Sequence, residues 1–228
     1  MHMQKIVGLF LIGMVLSTQL FSQTWIRMQS WGLDLEAISW VDGNLGFSVG
    51  ENLIIRTSDG GITWEELQLT FDGKLLDVTF WDETTGGAVG ENGIILKAQN
   101  GGTTWVQLPS GTTQALKSVA ISSESKILAT SGGGEILLSI NKGETWTKLN
   151  SGTSRSLNDI TFVNSDTAYV AGNQGLILRT YDGGSQWTPL NSGQSTNLNG
   201  IIFSTPVIGY VVGNGGNILK TLDGGANW

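Results

Sequence analysis

Five tryptophans, Trp64, Trp105, Trp146, Trp187 and Trp228, follow one another at a constant spacing of 41 residues. Each closes the same phrase: TSDGGITW at 57–64, AQNGGTTW at 98–105, SINKGETW at 139–146, TYDGGSQW at 180–187 and TLDGGANW at 221–228. A phrase that returns at one fixed period marks an array of one supersecondary unit. Such a unit cannot bury its apolar face alone and needs its neighbours.

The rest of the period aligns as well. A short apolar run comes first, as LLDVTFW at 75–81 and LNDITF at 157–162. A run ending in glycine follows, as GGAVG at 86–90 and AYVAG at 168–172; its third copy, ILATSG at 127–132, is degenerate. A tight turn such as Glu91-Asn92-Gly93 leads to a third run, because Asn-Gly supplies the positive φ angles a two-residue hairpin needs. A fourth run starts at the tryptophan, as WVQLPS at 105–110. Four short strands per period with glycine-rich turns and no helical periodicity predict an all-β chain, a β-propeller of four-stranded antiparallel blades. The propeller is expected over 24–228, with about five blades. An orphan fourth strand at 25–30 (WIRMQS) and a chain that stops on Trp228 suggest a fragment of a larger ring, with a closed ring of five as the alternative.

Within the phrase, Asp59, Asn100, Asn141, Asp182 and Asp223 stand where a short polar side chain bonds nearby backbone N–H groups. The hydroxyls of Thr57, Ser139, Thr180 and Thr221 can close the same turn. The tryptophan then covers it, burying roughly 150–250 Å² per ring. These ten box residues are read as scaffold. A short polar side chain repeated in every blade, Asp in three copies and Asn in two, does not look like chemistry.

The phrase is the Asp-box, or BNR repeat, and the full repeat resembles the photosystem II stability and assembly factor family. The copy at 172–193, GNQGLILRTYDGGSQWTPLNSG, carries the resemblance best. That resemblance implies an exported seven-bladed propeller that acts as a protein-binding scaffold. The Asp-box also occurs in sialidases and other propeller glycosidases, so an exported glycoside hydrolase or a glycan-binding surface protein is the alternative. The residues speak against sialidase. Four arginines remain (Arg27, Arg56, Arg155, Arg179), two of them at one repeat position, and no Arg-Ile-Pro phrase is present.

Composition bears on function by subtraction. There is no cysteine, and the one histidine, His2, lies in the N-terminal segment. Residues 6–16 form an 11-residue apolar run behind a basic Lys5, which reads as a signal peptide over 1–23. Its removal leaves no imidazole. Thiolate or imidazole nucleophiles and His- or Cys-ligated metals are therefore not expected, nor is any cofactor or catalytic residue. The formal charge of −7 argues against nucleic acid as a partner. No later stretch is long enough to span a bilayer. The expectation is an exported monomer, periplasmic, cell-surface or secreted, with an unidentified protein partner.

Two sets of repeat positions could meet that partner. Arg56, Lys97, Arg179 and Lys220 form a basic column on the third strand, broken by Leu138. Ala37, Asp77, Ser118, Asp159 and Gly200 share one position of the first strand, and their polarity suggests a solvated rim or channel.

Overall fold

A computed structural model of the chain describes residues 34–69, 71–122 and 126–228. The stretch 1–23, read above as a signal peptide, and the orphan fourth strand expected at 25–30 lie outside the described residues.

The described chain folds into five antiparallel sheets, one per repeat. Blade 1 holds β1 (Leu35–Trp40), β2 (Gly46–Gly50), β3 (Leu53–Thr57) and β4 (Glu65–Glu66). Blade 2 holds β5 (Leu75–Phe80), β6 (Gly86–Gly90), β7 (Ile95–Gln99) and β8 (Thr104–Leu108). Blade 3 holds β9 (Leu116–Ile121), β10 (Ile127–Ser131), β11 (Ile136–Ser139) and β12 (Thr147–Leu149). Blade 4 holds β13 (Leu157–Phe162), β14 (Ala168–Gly172), β15 (Leu176–Thr180) and β16 (Thr188–Asn191). Blade 5 holds β17 (Leu198–Phe203), β18 (Gly209–Gly213) and β19 (Asn217–Thr221). Each sheet pairs its strands in chain order, as a meander. Four strands per blade therefore hold for blades 1 to 4, and blade 5 has three. The fourth strands are shorter than their apolar runs, and most begin after the tryptophan.

Blades 2 to 4 have a neighbouring blade on both faces, so their second strands read as continuous buried runs rather than alternating ones, and blade 1 shows the same burial. All five residues of β2, β6, β10 and β14 are buried. The degenerate third copy obeys the same rule: Ile127, Leu128 and Ala129 are fully buried in β10. Four apolar clusters correspond to the four blade junctions. At the last junction Tyr169, Ala171 and Ile177 of blade 4 meet Leu198, Ile201 and Val211 of blade 5. The next face of blade 5 meets no further blade among the described residues, and Tyr210, Val212 and Ile218 are exposed on it.

The first strand of each blade begins with a bulge. In β5 the register slips between Leu75 and Asp77, so Leu76 is the extra residue. The same slip recurs in β1, β9, β13 and β17. A bulge bends its strand and re-aims the residue that follows. Here it places the buried apolar residues three apart, Leu75 and Val78 or Leu157 and Ile160. The intervening Asp77 and Asp159 then turn toward the next blade's first strand.

Candidate functional site

The first strands of successive blades stand side by side, and their polar side chains meet there. Asp77 Oδ1 accepts the N–H of Val78 at 2.8 Å, and its Oδ2 accepts the N–H of Val119, one blade on, also at 2.8 Å. Asp159 repeats the device: Oδ1 takes the N–H of Ile160 at 2.8 Å and Oδ2 that of Ile201 at 2.7 Å. Between them lies Ser118, its Oγ 3.0 Å from Asp77 Oδ2 and 2.9 Å from Asp159 Oδ1. The five-residue first-strand set is thus no simple solvated rim. Asp77, Ser118 and Asp159 bolt blades 2 to 5 together, while Ala37 and Gly200 bring no polar side chain to the cluster. Burial pushes the Asp77 carboxyl up to about 6, against the hydrogen bonds from Val119, Ser118 and Val78, and the nearby Asp159 adds to the rise. Burial also raises Asp159, against the hydrogen bonds from Ile201, Ser118 and Ile160.

The Asp-boxes are local turns, and the buried hydroxyl lies at their centre. Thr180, 1% exposed, accepts the N–H of Gly184 at 2.9 Å and donates to Asp182 Oδ1 at 2.8 Å. Asp182 Oδ1 also accepts the N–H of Gln186 at 2.9 Å. Thr57–Asp59, Ser139–Asn141 and Thr221–Asp223 repeat the pattern. The second box departs from it. Ala98 brings no hydroxyl, Asn100 sits at φ 51°, and the N–H of Gly102 turns to the carbonyl of Gln99. Asn100 is therefore a turn residue of another kind, reaching only Thr104 Oγ1 at 3.4 Å. Trp105 and Trp146 donate their indole N–H to the carbonyls of their own box glycines, Gly102 and Gly143. Trp64, Trp187 and Trp228 are half-buried beside equivalent turns.

Hydrogen bonds hold two of the box carboxylates far down. Asp59 falls to about 2, chiefly through the Thr63 hydroxyl, and Asp223 to about 2, chiefly through the Asn227 amide. A lowered carboxylate stabilises the fold above its ordinary value and loses that contribution as the pH falls through the lowered one. The boxes therefore weaken only in strong acid. Replacing Thr180 by Val is expected to cost about 1–3 kcal/mol, because the buried N–H of Gly184 keeps no partner. Asp182→Ala should cost less, since the N–H it frees is solvent-facing. Denaturant unfolding of the two variants checks the order.

The basic column is not uniform. Arg56 pairs with Glu65 of its own blade at 2.8 Å. Lys97 is only 7% exposed and pairs with Glu144 of the next blade. Arg179 lies 4.3 Å from the Tyr181 ring and donates to the carbonyl of Gly224, again one blade on, at 3.3 Å. Lys220 is exposed, 5.6 Å from the Tyr210 ring. Two of the four cations thus join blades, which sequence spacing alone did not reveal. Lys97→Gln and Arg179→Gln should lower the unfolding midpoint. Arg56→Gln and Lys220→Gln should leave it nearly unchanged.

A cleft of about 560 Å³ lies away from both sets, walled by Asn92, Gln107, Thr112 and Glu135. Among the described residues no three His, Asp or Glu side chains gather as a metal site. None of the described helices is long and apolar enough to cross a membrane.

With this geometry in hand, the chain can be set beside known proteins. The model of a family described as photosynthesis system II assembly factor YCF48 matches residues 15–110, 62–150 and 108–181, well over half of the chain. A solved structure titled YCF48 bound to D1 peptide is 23% identical, with a TM-score of 0.73 over 91% of this chain and 70% of that one. An ancestral GH74 enzyme is 16% identical, with a TM-score of 0.65 over 88% of this chain and 32% of that one. U3-55K is 11% identical, with a TM-score of 0.75 over 85% and 62%. At these identities the structural likenesses bear on the propeller fold and not on activity. No curated protein matches the chain.

Proposed function

Because the chain belongs to the photosynthesis system II assembly factor YCF48 family, we propose that it is an exported, non-catalytic propeller that holds a segment of a client protein during assembly. The family match carries this reading. Export follows from the apolar run at 6–16 behind Lys5. The solved YCF48 structure with a D1 peptide supplies the kind of client, a peptide segment.

The fate of the carboxylates supports the absence of catalysis. A glycosidase needs one carboxyl group free to donate a proton and a second free to attack or to activate water. Asp77 and Asp159 are the one pair that the first-strand repeat position brings together. All four of their oxygens already accept a backbone N–H. Both carboxyl groups are thus engaged in joining strands.

Arg56, Lys97, Arg179 and Lys220 are the first surface to test for client contact. Arg56 and Lys220 are the informative positions, because their replacement leaves the blade junctions intact. The labelled D1 peptide serves as probe in a fluorescence anisotropy titration of the mature chain. Saturable binding is expected, weakened by added salt and by the Arg56→Gln, Lys220→Gln double variant. Absence of binding at any salt concentration, or turnover of aryl glycosides above background, would overturn the reading.

A further inference from the structure

We propose that Asp77, Ser118 and Asp159 form a proton-binding site between the innermost strands, in which the two carboxylates share one proton and thereby make the cohesion of blades 2 to 5 depend on pH. The argument is a count of protons. Ser118 Oγ stands 3.0 Å from Asp77 Oδ2 and 2.9 Å from Asp159 Oδ1. Both separations are hydrogen-bond distances, yet a serine hydroxyl carries a single proton. That proton can serve one carboxylate. The other contact then needs a proton from the carboxyl group itself, so that one Asp donates to Ser118 and Ser118 donates to the other Asp.

Among the described residues no other side chain donates to either carboxyl group. The four backbone N–H groups that the carboxylates accept, from Val78, Val119, Ile160 and Ile201, are already spent. Charged neighbours are engaged elsewhere. Glu36 of β1 pairs with Lys74, which precedes β5. Lys117 of β9 runs over Gly132, with Cε 3.4 Å from where a Cβ there would lie. Beside Asp159, β13 offers Asn158, whose amide reaches Asn173 and the carbonyl of Leu198. From β17, Asn199 reaches Asn214. The pair is thus left with one hydroxyl and each other, and two like charges bridged by one atom disfavour double ionisation.

The direction of the pH effect follows. Asp77 is raised to about 6 in the fold and returns to its ordinary value on unfolding. A raised carboxyl stabilises the fold below its unfolded value, and that contribution is lost as the pH rises through the folded one. The window, between ordinary carboxylate values and about 6, lies above the acid range in which the Asp-boxes titrate. From pH 5 to pH 7 the unfolding equilibrium constant is expected to rise about tenfold from this site.

The test is a carboxyl carbon NMR titration of the intact chain, with Asp77 and Asp159 assigned through their backbone connections. The expected result is one carboxyl of the pair titrating near pH 6, above the ordinary carboxylate range. Denaturant unfolding at pH 5 and pH 7 runs in parallel. Asp77→Asn and Asp159→Asn should each flatten the tenfold difference, because an amide donates to Ser118 at every pH. Both carboxyls completing their titration in the ordinary carboxylate range would overturn the proposal. So would a pH difference that survives both substitutions. If a variant fails to fold, the titration of the unmodified chain decides.

Discussion

Gly175→Ala should cost about 3–5 kcal/mol, whereas Gly216→Ala, at the equivalent turn of the next blade, should cost about 1 kcal/mol. Both glycines sit at positive φ, 69° and 74°, so backbone strain is common to the two. They differ in what lies above them. A Cβ on Gly175 would stand 1.9 Å from the carbonyl oxygen of Gln194, while nothing lies within 4 Å of the same point on Gly216. Gln194 belongs to the segment that crosses from β16 to β17, and that segment cannot retreat cheaply. Gly175 N–H bonds to Thr196 O at 2.7 Å, and Ser192 Oγ bonds to Gly175 O at 2.6 Å. An added methyl group must break one or both bonds. Gly93 and Gly134 lie under equivalent crossovers, 2.0 Å from Thr112 O and 2.4 Å from Thr153 O on the same measure. Denaturant midpoints of the two alanine variants check the prediction. Equal losses would mean that positive φ alone sets the cost and the crossover none of it.

Tyr169→Ala should be comparably severe, about 3–5 kcal/mol. Its ring is 2% exposed between blades 4 and 5, stacked at 4.2 Å on Phe203. Its hydroxyl donates to the carbonyl of Gly224 at 2.6 Å, across the same junction. Removal empties a packed site and takes one donor from that carbonyl. Tyr169→Phe should cost only about 1 kcal/mol, because Arg179 still reaches Gly224 O. Tyr210 occupies the same position one repeat later but is 36% exposed. Tyr210→Ala should therefore stay within about 0.5 kcal/mol of the parent. A loss at Tyr210 as large as that at Tyr169 would show that blade 5 is covered on its outer face in solution.

These paired comparisons show what a repeat makes legible and what it hides. The period, the strand order and the Asn-Gly turns are local patterns legible in the sequence, whereas most fourth strands start after the tryptophan rather than at it, and the Asn100 turn departs from its siblings. Contacts between blades are not local. Asp77 meets Val119 at a distance of 42 residues in the chain, and Lys97 meets Glu144 at 47. Nothing in the six residues of β5 announces either partner. The bulge at Leu76 was equally silent, because it needs two strands to define it. Identical positions also diverge in role. Lys97 is walled in by the next blade and Lys220 is not, although the sequence writes both as one column. The degenerate run at 127–132 shows the converse. Its spelling differs from its siblings, yet β10 forms because both its faces are covered.

The carboxylate bolts also have a bearing on how a client could be held. The innermost strand of a blade is a sheet edge, and an unsatisfied edge N–H invites an extended chain to add a strand there. Val78, Val119, Ile160 and Ile201 carry those N–H groups, and Asp77 and Asp159 occupy all four. The axial edge is closed to backbone pairing at these positions. For a polypeptide seeking main-chain hydrogen bonds the periphery is the more open edge, where β4 and β12 end after two and three residues and no fifth strand follows among the described residues.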